Sequence, residues 1–514
     1  MVGRISALTD MVRMPDFRFG PLLVSPSRRQ VFTGDGHSLA LEPRVMQVFL
    51  LLADHHDEVV SRAVMFDEIW GGVPVGDDSI NRAVAGVRRT LELAPEAFEL
   101  ETIPRTGYRL SVLGEDGVDD QQKPLGRRAL IGGSLALGVV AAVAGVFGLN
   151  NRYSKAAEAQ QLVDEGRLLL TRELPSEETQ GVSVFRRATA IDPGNAEAWG
   201  LLALALRNGV ENGTPDNVSK AATAAQSAAA NALAINPDQG DALTALATLQ
   251  PEFGDWLNQE RRLRNILKRA PNTIPAMHSL VLLLQSVGRC RASSRLNDQI
   301  LALDPVDPVA MYRASYKHWI LGNELAADEA IERAMAIWPK HPAVWSARLL
   351  IYAYTGRAAQ ALKLVSDRQS RPPNLPLQMI QFWEDALPAL IDRPKITKTR
   401  VTLRTFSTKS PGYAYYSIMT FAALGLIDDA FEVANGYYLK QGPLSGQSLI
   451  SPEQMRVNDM QWRRTMILFL PVTASLRADP RFKTLCENTK LSAYWGATGI
   501  GPDVLPSDLA YQKA

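Results

Sequence analysis

The sequence predicts a multidomain, mainly α-helical chain. A small α+β domain comes first, one transmembrane helix follows, and an α-helical repeat solenoid ends it. Three observations predict this. The first hundred residues read as short strands, three helices and a hairpin. Ala129–Leu149 runs 21 residues without a charge. Beyond it, proline and glycine each recur every 34 residues.

Length and composition set the limits. At roughly 150 residues per domain, 514 residues suggest about three domains. A hydrophobic fraction of 46% and a charged fraction of 21% exclude a mainly disordered chain. Two cysteines, Cys290 and Cys486, exclude a disulfide scaffold and a cysteine-built zinc site. The six histidines show no metal-ligand spacing. The net charge of +1 hides a division: residues 1–128 hold 15 Lys+Arg against 19 Asp+Glu, and the rest holds 40 against 35. A claim of DNA binding must therefore rest on where charges sit, since the first domain is not basic overall.

In chain order, Phe17–Phe32 is partly alternating and broken by Pro and Gly, which reads as small antiparallel strands. Leu41–Leu52 turns helical, with Val45, Val48, Phe49 and Leu52 on one face. Ser61 is a candidate N-cap for a second helix over Arg62–Trp70. Gly71–Gly76 breaks it, and Asp77–Leu91 forms a third helix opened by acids that suit its dipole. Leu100–Leu110 reads as a terminal hairpin. Strands, three helices and a hairpin make a winged helix-turn-helix. On the third helix, Ile80, Val84, Val87 and Leu91 cluster toward the core. Asp78, Arg82, Ala85 and Arg89 point away, with Gly86 beside them, and Arg88 lies to one side. Arginine suits both a guanine edge and a phosphate.

The blocks Leu41-Glu42-Pro43, Val59–Arg62, Phe66–Trp70, Asp77–Val84 and Thr102–Leu110 resemble the OmpR/PhoB-type DNA-binding domain over residues 17–112. The resemblance implies a recognition helix in the major groove and a wing at the hairpin. Candidate DNA contacts are Ser79, Asn81, Arg82, Arg88, Arg89, Arg105 and Thr106. Arg82 and Arg89 face the groove, Arg88 meets phosphate, and Arg105 and Thr106 sit at the wing tip. Gly107 is read as permitting the tight turn there, and Tyr108 as hairpin packing. Ala85 and Gly86 depart from relatives with polar or basic residues at those places.

Residues 113–128 are rich in Gly, Asp and Gln and read as a flexible tether. At 1.5 Å per residue, the uncharged run 129–149 spans about 31 Å, enough to cross a hydrocarbon core. Lys123, Arg127 and Arg128 before it, against Arg152 and Lys155 after it, place the N-terminal side in the cytoplasm. The opening MVGRISALTD has no apolar run, so the first domain is expected to stay there. This order of parts resembles the CadC/ToxR class of membrane-anchored bacterial regulators. It implies a single-pass inner-membrane protein with a periplasmic C-terminal domain. Small-xxx-small rows at Ser134, Gly138 and Ala142 would let two such helices approach as a homodimer.

In the C-terminal region, Pro237, Pro271, Pro305, Pro339 and Pro373 are each 34 apart, as are Gly254, Gly288, Gly322 and Gly356. That period is the tetratricopeptide (TPR) repeat, here assigned to residues 156–503. Glycine falls between paired helices and proline follows the second. Pro193 to Pro237 is 44, read as an insertion near Asn208–Asn217; residues 374–410 break the period, so the array reads as interrupted or degenerate there. The concave face of such a stack implies a protein or peptide partner. Tyr312, Tyr316, Trp319, Tyr352 and Tyr354 fit packing better than a ligand. The closing segment around Ala478–Phe482 and Tyr494-Trp495 resembles one that caps a last repeat in related regulators.

No phosphate-loop, HExxH or GxSxG motif occurs, so no enzyme, cofactor or metal is expected. The expected function is a one-component regulator that binds promoter DNA through its winged helix and senses through its repeats. Two other readings stay open. One is a membrane-anchored TPR scaffold with a degenerate winged helix. The other is a cytoplasmic regulator whose apolar run is a buried helix.

Overall fold

The computed structural model describes residues 14–34, 38–70, 77–103, 106–113, 155–156, 158–170, 175–212, 215–373, 375–444 and 463–504. The chain divides into two compact units, Met1–Glu165 with Arg187–Pro193, and Gly166–Arg186 with Gly194–Ala514.

The first unit opens with an antiparallel sheet of β1 (Phe17–Phe19), β2 (Leu22–Ser25), β3 (Gln30–Phe32) and β4 (Ser38–Ala40), in that spatial order. Helix α1 (Pro43–Asp54) follows, then β5 (Val59–Ser61), α2 (Arg62–Trp70) and α3 (Asp77–Leu91). Strands β6 (Phe98–Ile103) and β7 (Gly107–Val112) form the hairpin, and the second sheet has the order β5-β7-β6. One core joins the layers: Leu22, Val24 and Val31 from the sheet, Met46, Val48, Phe49 and Leu52 from α1, Ile80, Val84 and Val87 from α3, and Leu110 from the hairpin. Ser61 Oγ accepts from the Val64 amide at 3.2 Å, so the expected N-cap is formed.

The second unit is a stack of helix pairs. In order they are α4 (Pro175–Ile191, of which residues 187–191 count with the first unit), α5 (Ala196–Asn212), α6 (Pro215–Ile235), α7 (Gly240–Thr248), α8 (Trp256–Arg269), α9 (Ile274–Ser286), α10 (Cys290–Leu303), α11 (Pro308–Ile320) and α12 (Glu324–Ile337). Then come α13 (Pro342–Tyr354), α14 (Ala358–Ser366), α15 (Leu377–Ile391), α16 (Ile396–Ser407), α17 (Pro411–Leu424) and α18 (Ile427–Ala434). The short α19 (Ala474–Arg477), α20 (Arg481–Asn488) and α21 (Leu491–Thr498) close it.

The periodic residues do what their chemistry requires. Gly254, Gly288, Gly322 and Gly356 have φ between +76° and +83°, the left-handed region in which a Cβ is penalised. Gly288, Gly322 and Gly356 end the first helix of their pairs, while Gly254 lies in the turn just before α8, six residues after α7 ends. After Gly288 and Gly322, the Arg289 and Asn323 amides donate back to Leu284 O and His318 O, both at 2.8 Å, closing the helix ends. The prolines follow the second helices, and Pro275, Pro308 and Pro342 stand at helix starts, where a missing N–H costs little.

One expectation about the array is revised and one is resolved. The extra residues between Pro193 and Pro237 do not form a loop alone: they lengthen α5 to 17 residues and α6 to 21. Of the two alternatives for the break in the period, the array is degenerate and not interrupted over 375–410, because α15 and α16 form another pair there. A short 3-10 turn over Arg393–Lys395 replaces the glycine turn, so the pair leaves no mark on the glycine series.

The closing segment reaches further than the last repeat. Trp495 Nε1 donates to Val287 O at 2.8 Å, and Trp256 Nε1 donates to Thr489 O at 2.9 Å. Tyr494 OH donates to Glu260 Oε2 at 2.6 Å, and Arg289 holds the other carboxylate oxygen at 3.1 Å. These bonds tie α20 and α21 to α8–α10 in the middle of the stack. The tested aromatics serve packing: Tyr316 and Trp319 are buried, while Tyr312, Tyr352 and Tyr354 lie half-buried against the same core.

The transmembrane expectation is corrected. Among the described residues no helix is long and apolar enough to cross a membrane, and 129–149 lie outside them. The longest described helix, α6, carries Asp216, Lys220 and Gln226 and buries Ala225, Ala228, Ala229 and Ala232. Its apolar surface is a face packed within protein, not an all-round coat. The single-pass inner-membrane localisation, the periplasmic placement and the homodimer drawn from the 134–145 rows are not carried forward.

Candidate nucleic-acid interface

Helix α3 presents two unlike faces. Ile80, Val84 and Val87 are essentially inaccessible, and Leu91 is 5% exposed. Ala83, Gly86 and Thr90 extend the buried arc along one flank, where α1 approaches. A Cβ on Gly86 would lie 2.5 Å from Val45 Cγ2. Gly86 is thus a packing residue, which corrects its sequence-based placement beside the groove-facing side chains. Thr90 Oγ1 donates to Gly86 O at 3.0 Å on the same flank.

The outer face carries Asn81, Arg82, Ala85 and Arg88, all exposed. Arg82 makes no hydrogen bond or ion pair with any described residue, so its guanidinium is available to a ligand. Arg88 Nη2 donates to Thr102 Oγ1 on β6 at 2.6 Å. Arg89 is half-buried, and its Nη1 donates to Asp164 Oδ2 at 3.1 Å within the first unit. The side chain of Ser79 and all of Arg105 lie outside the described residues. Thr106 is exposed at the hairpin turn, and its carbonyl accepts from the Arg62 amide at 3.1 Å.

Asn81 is not a bare surface amide. Its Oδ1 accepts from Arg62 Nη2 at 3.2 Å and from Tyr108 OH at 3.0 Å. Sequence reasoning missed Arg62 and Thr102 as partners and read Tyr108 as packing alone. Arg62 lies 19 residues from Asn81, and Tyr108 lies 46 from Arg62, so no local pattern reveals the contact. Gly107 also has a different role from the one expected. Its φ is not in the left-handed region, but a Cβ there would lie 2.0 Å from Val60 O. Backbone proximity of β5 and β7 selects glycine, not turn geometry.

A recognition helix with an open arginine, braced to a two-stranded wing, defines a winged-helix DNA-binding domain. The comparisons assign its family: residues 36–110 match the model for "Transcriptional regulatory protein, C terminal", which makes this an OmpR/PhoB-type domain. The chain is 31% identical over 103 residues to the transcriptional activator CadC of Escherichia coli (strain K12), covering 20% of this chain and 20% of that protein. The chain thus matches about a fifth of that relative's length. The solved DNA-binding domain of E. coli CadC is 32% identical, with a TM-score of 0.18, covering 19% of this chain and 94% of that one. The structure of YrrB, a TPR protein with an unusual peptide-binding site, is 18% identical with a TM-score of 0.21, covering 37% of this chain and 91% of that one.

Proposed function

We propose that this chain is a one-component transcriptional regulator with no catalytic step of its own. Residues 17–112 bind promoter DNA, 113–128 tether them, and the TPR-like region within 156–503 takes a protein or peptide partner as the signal. The observation that carries the reading is the exposed, unengaged Arg82 on a helix whose opposite face is fully buried. Arg82 and the Thr106 turn lie on the same domain and offer a helix contact and a wing contact, while Arg89 would have to release Asp164 to join them. The acidic balance of residues 1–128 makes the local arginines the source of attraction. The competing scaffold reading rests on the acidic balance of residues 1–128 and on the Ala85/Gly86 pair, and Gly86 no longer counts toward it because it packs on Val45.

Arg82→Ala with Arg89→Ala is expected to weaken binding to a selected duplex by roughly a hundredfold, at about 1–3 kcal/mol per arginine. Chromatin immunoprecipitation of the full chain beside the double mutant should show discrete wild-type peaks that vanish. Equal occupancy by both would show that the assigned helix face is wrong.

A further inference from the structure

We propose that Arg62, Asn81 and Tyr108 form a clamp that fixes the wing hairpin to the recognition helix, with Asn81 as its hub and not a reader of bases. The inference rests on the DNA-binding reading above. Three elements meet here: Arg62 begins α2, Asn81 lies in α3, and Tyr108 belongs to β7. Their hydrogen bonds close a ring. Arg62 Nη2 donates to Asn81 Oδ1 at 3.2 Å and to Tyr108 OH at 2.9 Å, and Tyr108 OH donates to Asn81 Oδ1 at 3.0 Å. The Arg62 guanidinium also stands 5.4 Å from the Tyr108 ring centroid.

The chemistry of the amide decides the role. An asparagine reads adenine by presenting its oxygen and its nitrogen together. A carbonyl oxygen has two acceptor sites, and both sites on Asn81 Oδ1 are taken. Only the Nδ2 donors remain, which cannot make the bidentate pair.

A second brace supports the first. Asn81 and Arg88 are seven residues apart, two turns along one face of α3. Arg88 Nη2 reaches Thr102 Oγ1, and Thr102 is the cross-strand partner of Tyr108. Both braces therefore land on one rung of the wing. Thr106 and the hairpin tip follow within a few residues of that rung. The distance between the helix contact and the wing contact is then set by side chains, so the two move on DNA as one body.

The test uses the full chain and a duplex selected from random-sequence DNA by the wild type. Hydroxyl-radical footprints are compared for wild type, Tyr108→Phe, Asn81→Ala and Asn81→Asp, with amide exchange as the folding control. Tyr108→Phe and Asn81→Ala should lose the wing-side protection and about tenfold in affinity while keeping the helix-side protection. Asn81→Asp keeps both acceptor sites and should keep the wing footprint. Unchanged footprints in Tyr108→Phe and Asn81→Ala would overturn the clamp. Loss of helix-side protection in Asn81→Asp would make Asn81 a base reader and also overturn it. A wild type that selects no duplex would instead reject DNA binding itself, and the clamp with it.

Discussion

Gly107→Ala is expected to destabilise the N-terminal unit by about 3 kcal/mol or more, the upper end of overpacking costs. The methyl would sit 2.0 Å from Val60 O and 2.8 Å from Ser61 Cα. Those atoms are backbone and have no rotamer to change. Gly107 is paired with Ser61, followed by Tyr108 with Val60 and Arg109 with Val59. Relief requires β5 and β7 to part, which would also strain the Arg62 amide's bond to Thr106 O and the Asp57 amide's bond to Leu110 O. Gly86 is the softer case, because the obstacle there is the Val45 side chain and alanine would regain about 1 kcal/mol of helix propensity. Hydrogen–deuterium exchange on the full chain measures the effect. Peptides from β5, β6 and β7 should exchange at least about a hundredfold faster in the mutant, while α9–α13 stay unchanged. Native-like protection of β5 would show that the close approach is not what requires glycine.

The contrast between these two glycines shows what the sequence can reveal. The spans of α2 and α3 and the buried set Ile80, Val84, Val87 and Leu91 follow from capping and a 3.6-residue period, both local. The Gly288–Gly356 series is equally local, because a left-handed helix end is decided within one turn. Gly86 and Gly107 were misread because their reason lies in a partner element, Val45 on α1 and Val60 on β5. A signal did exist for Gly86: Ala83, Gly86 and Thr90 are small and spaced i, i+3, i+7, as a close helix contact demands. The α15–α16 pair escaped notice because it replaces glycine with a 3-10 turn. The uncharged run 129–149 was read by composition alone and lies outside the described residues. For the candidate site, the exposure of Arg82 was legible from helical geometry. The Arg62–Asn81–Tyr108 ring was not, since its members meet only after the hairpin folds back.

Lys317→Met is expected to change how the repeat unit's stability depends on pH. Lys317 is 1% exposed in α11. Its Nζ donates to Gln285 Oε1 and, at 2.7 Å, to Ser293 Oγ, and it has no ion pair among the described residues. Burial pushes its pKa down from 10.5 to about 7. The surrounding charges act second: Cys290 and Asp298 raise it, and Arg313 lowers it. The sign follows from proton counting. Below pH 7 the amine is charged in both folded and unfolded chains, so the fold carries the full cost of a buried ammonium. Between 7 and 10.5 the unfolded chain holds the proton and the folded chain releases it, so stability rises with pH. A full proton difference contributes about 1.4 kcal/mol per pH unit. Methionine removes this titration but leaves Gln285 and Ser293 without their donor, so its absolute stability mixes two effects. The difference between the two proteins isolates the lysine. From pH 7 to 9.5, wild type should gain about 3 kcal/mol over Lys317→Met. Staying below 10 keeps the buried tyrosines Tyr316, Tyr354 and Tyr415, whose pKa values burial raises, out of the comparison. Urea unfolding followed by tryptophan fluorescence suits the measurement, because Trp319 and Trp345 are buried in this part of the stack. A difference flat across that window would mean that Lys317 keeps its proton in the fold, with Asp298 offsetting more of the burial cost than the geometry suggests.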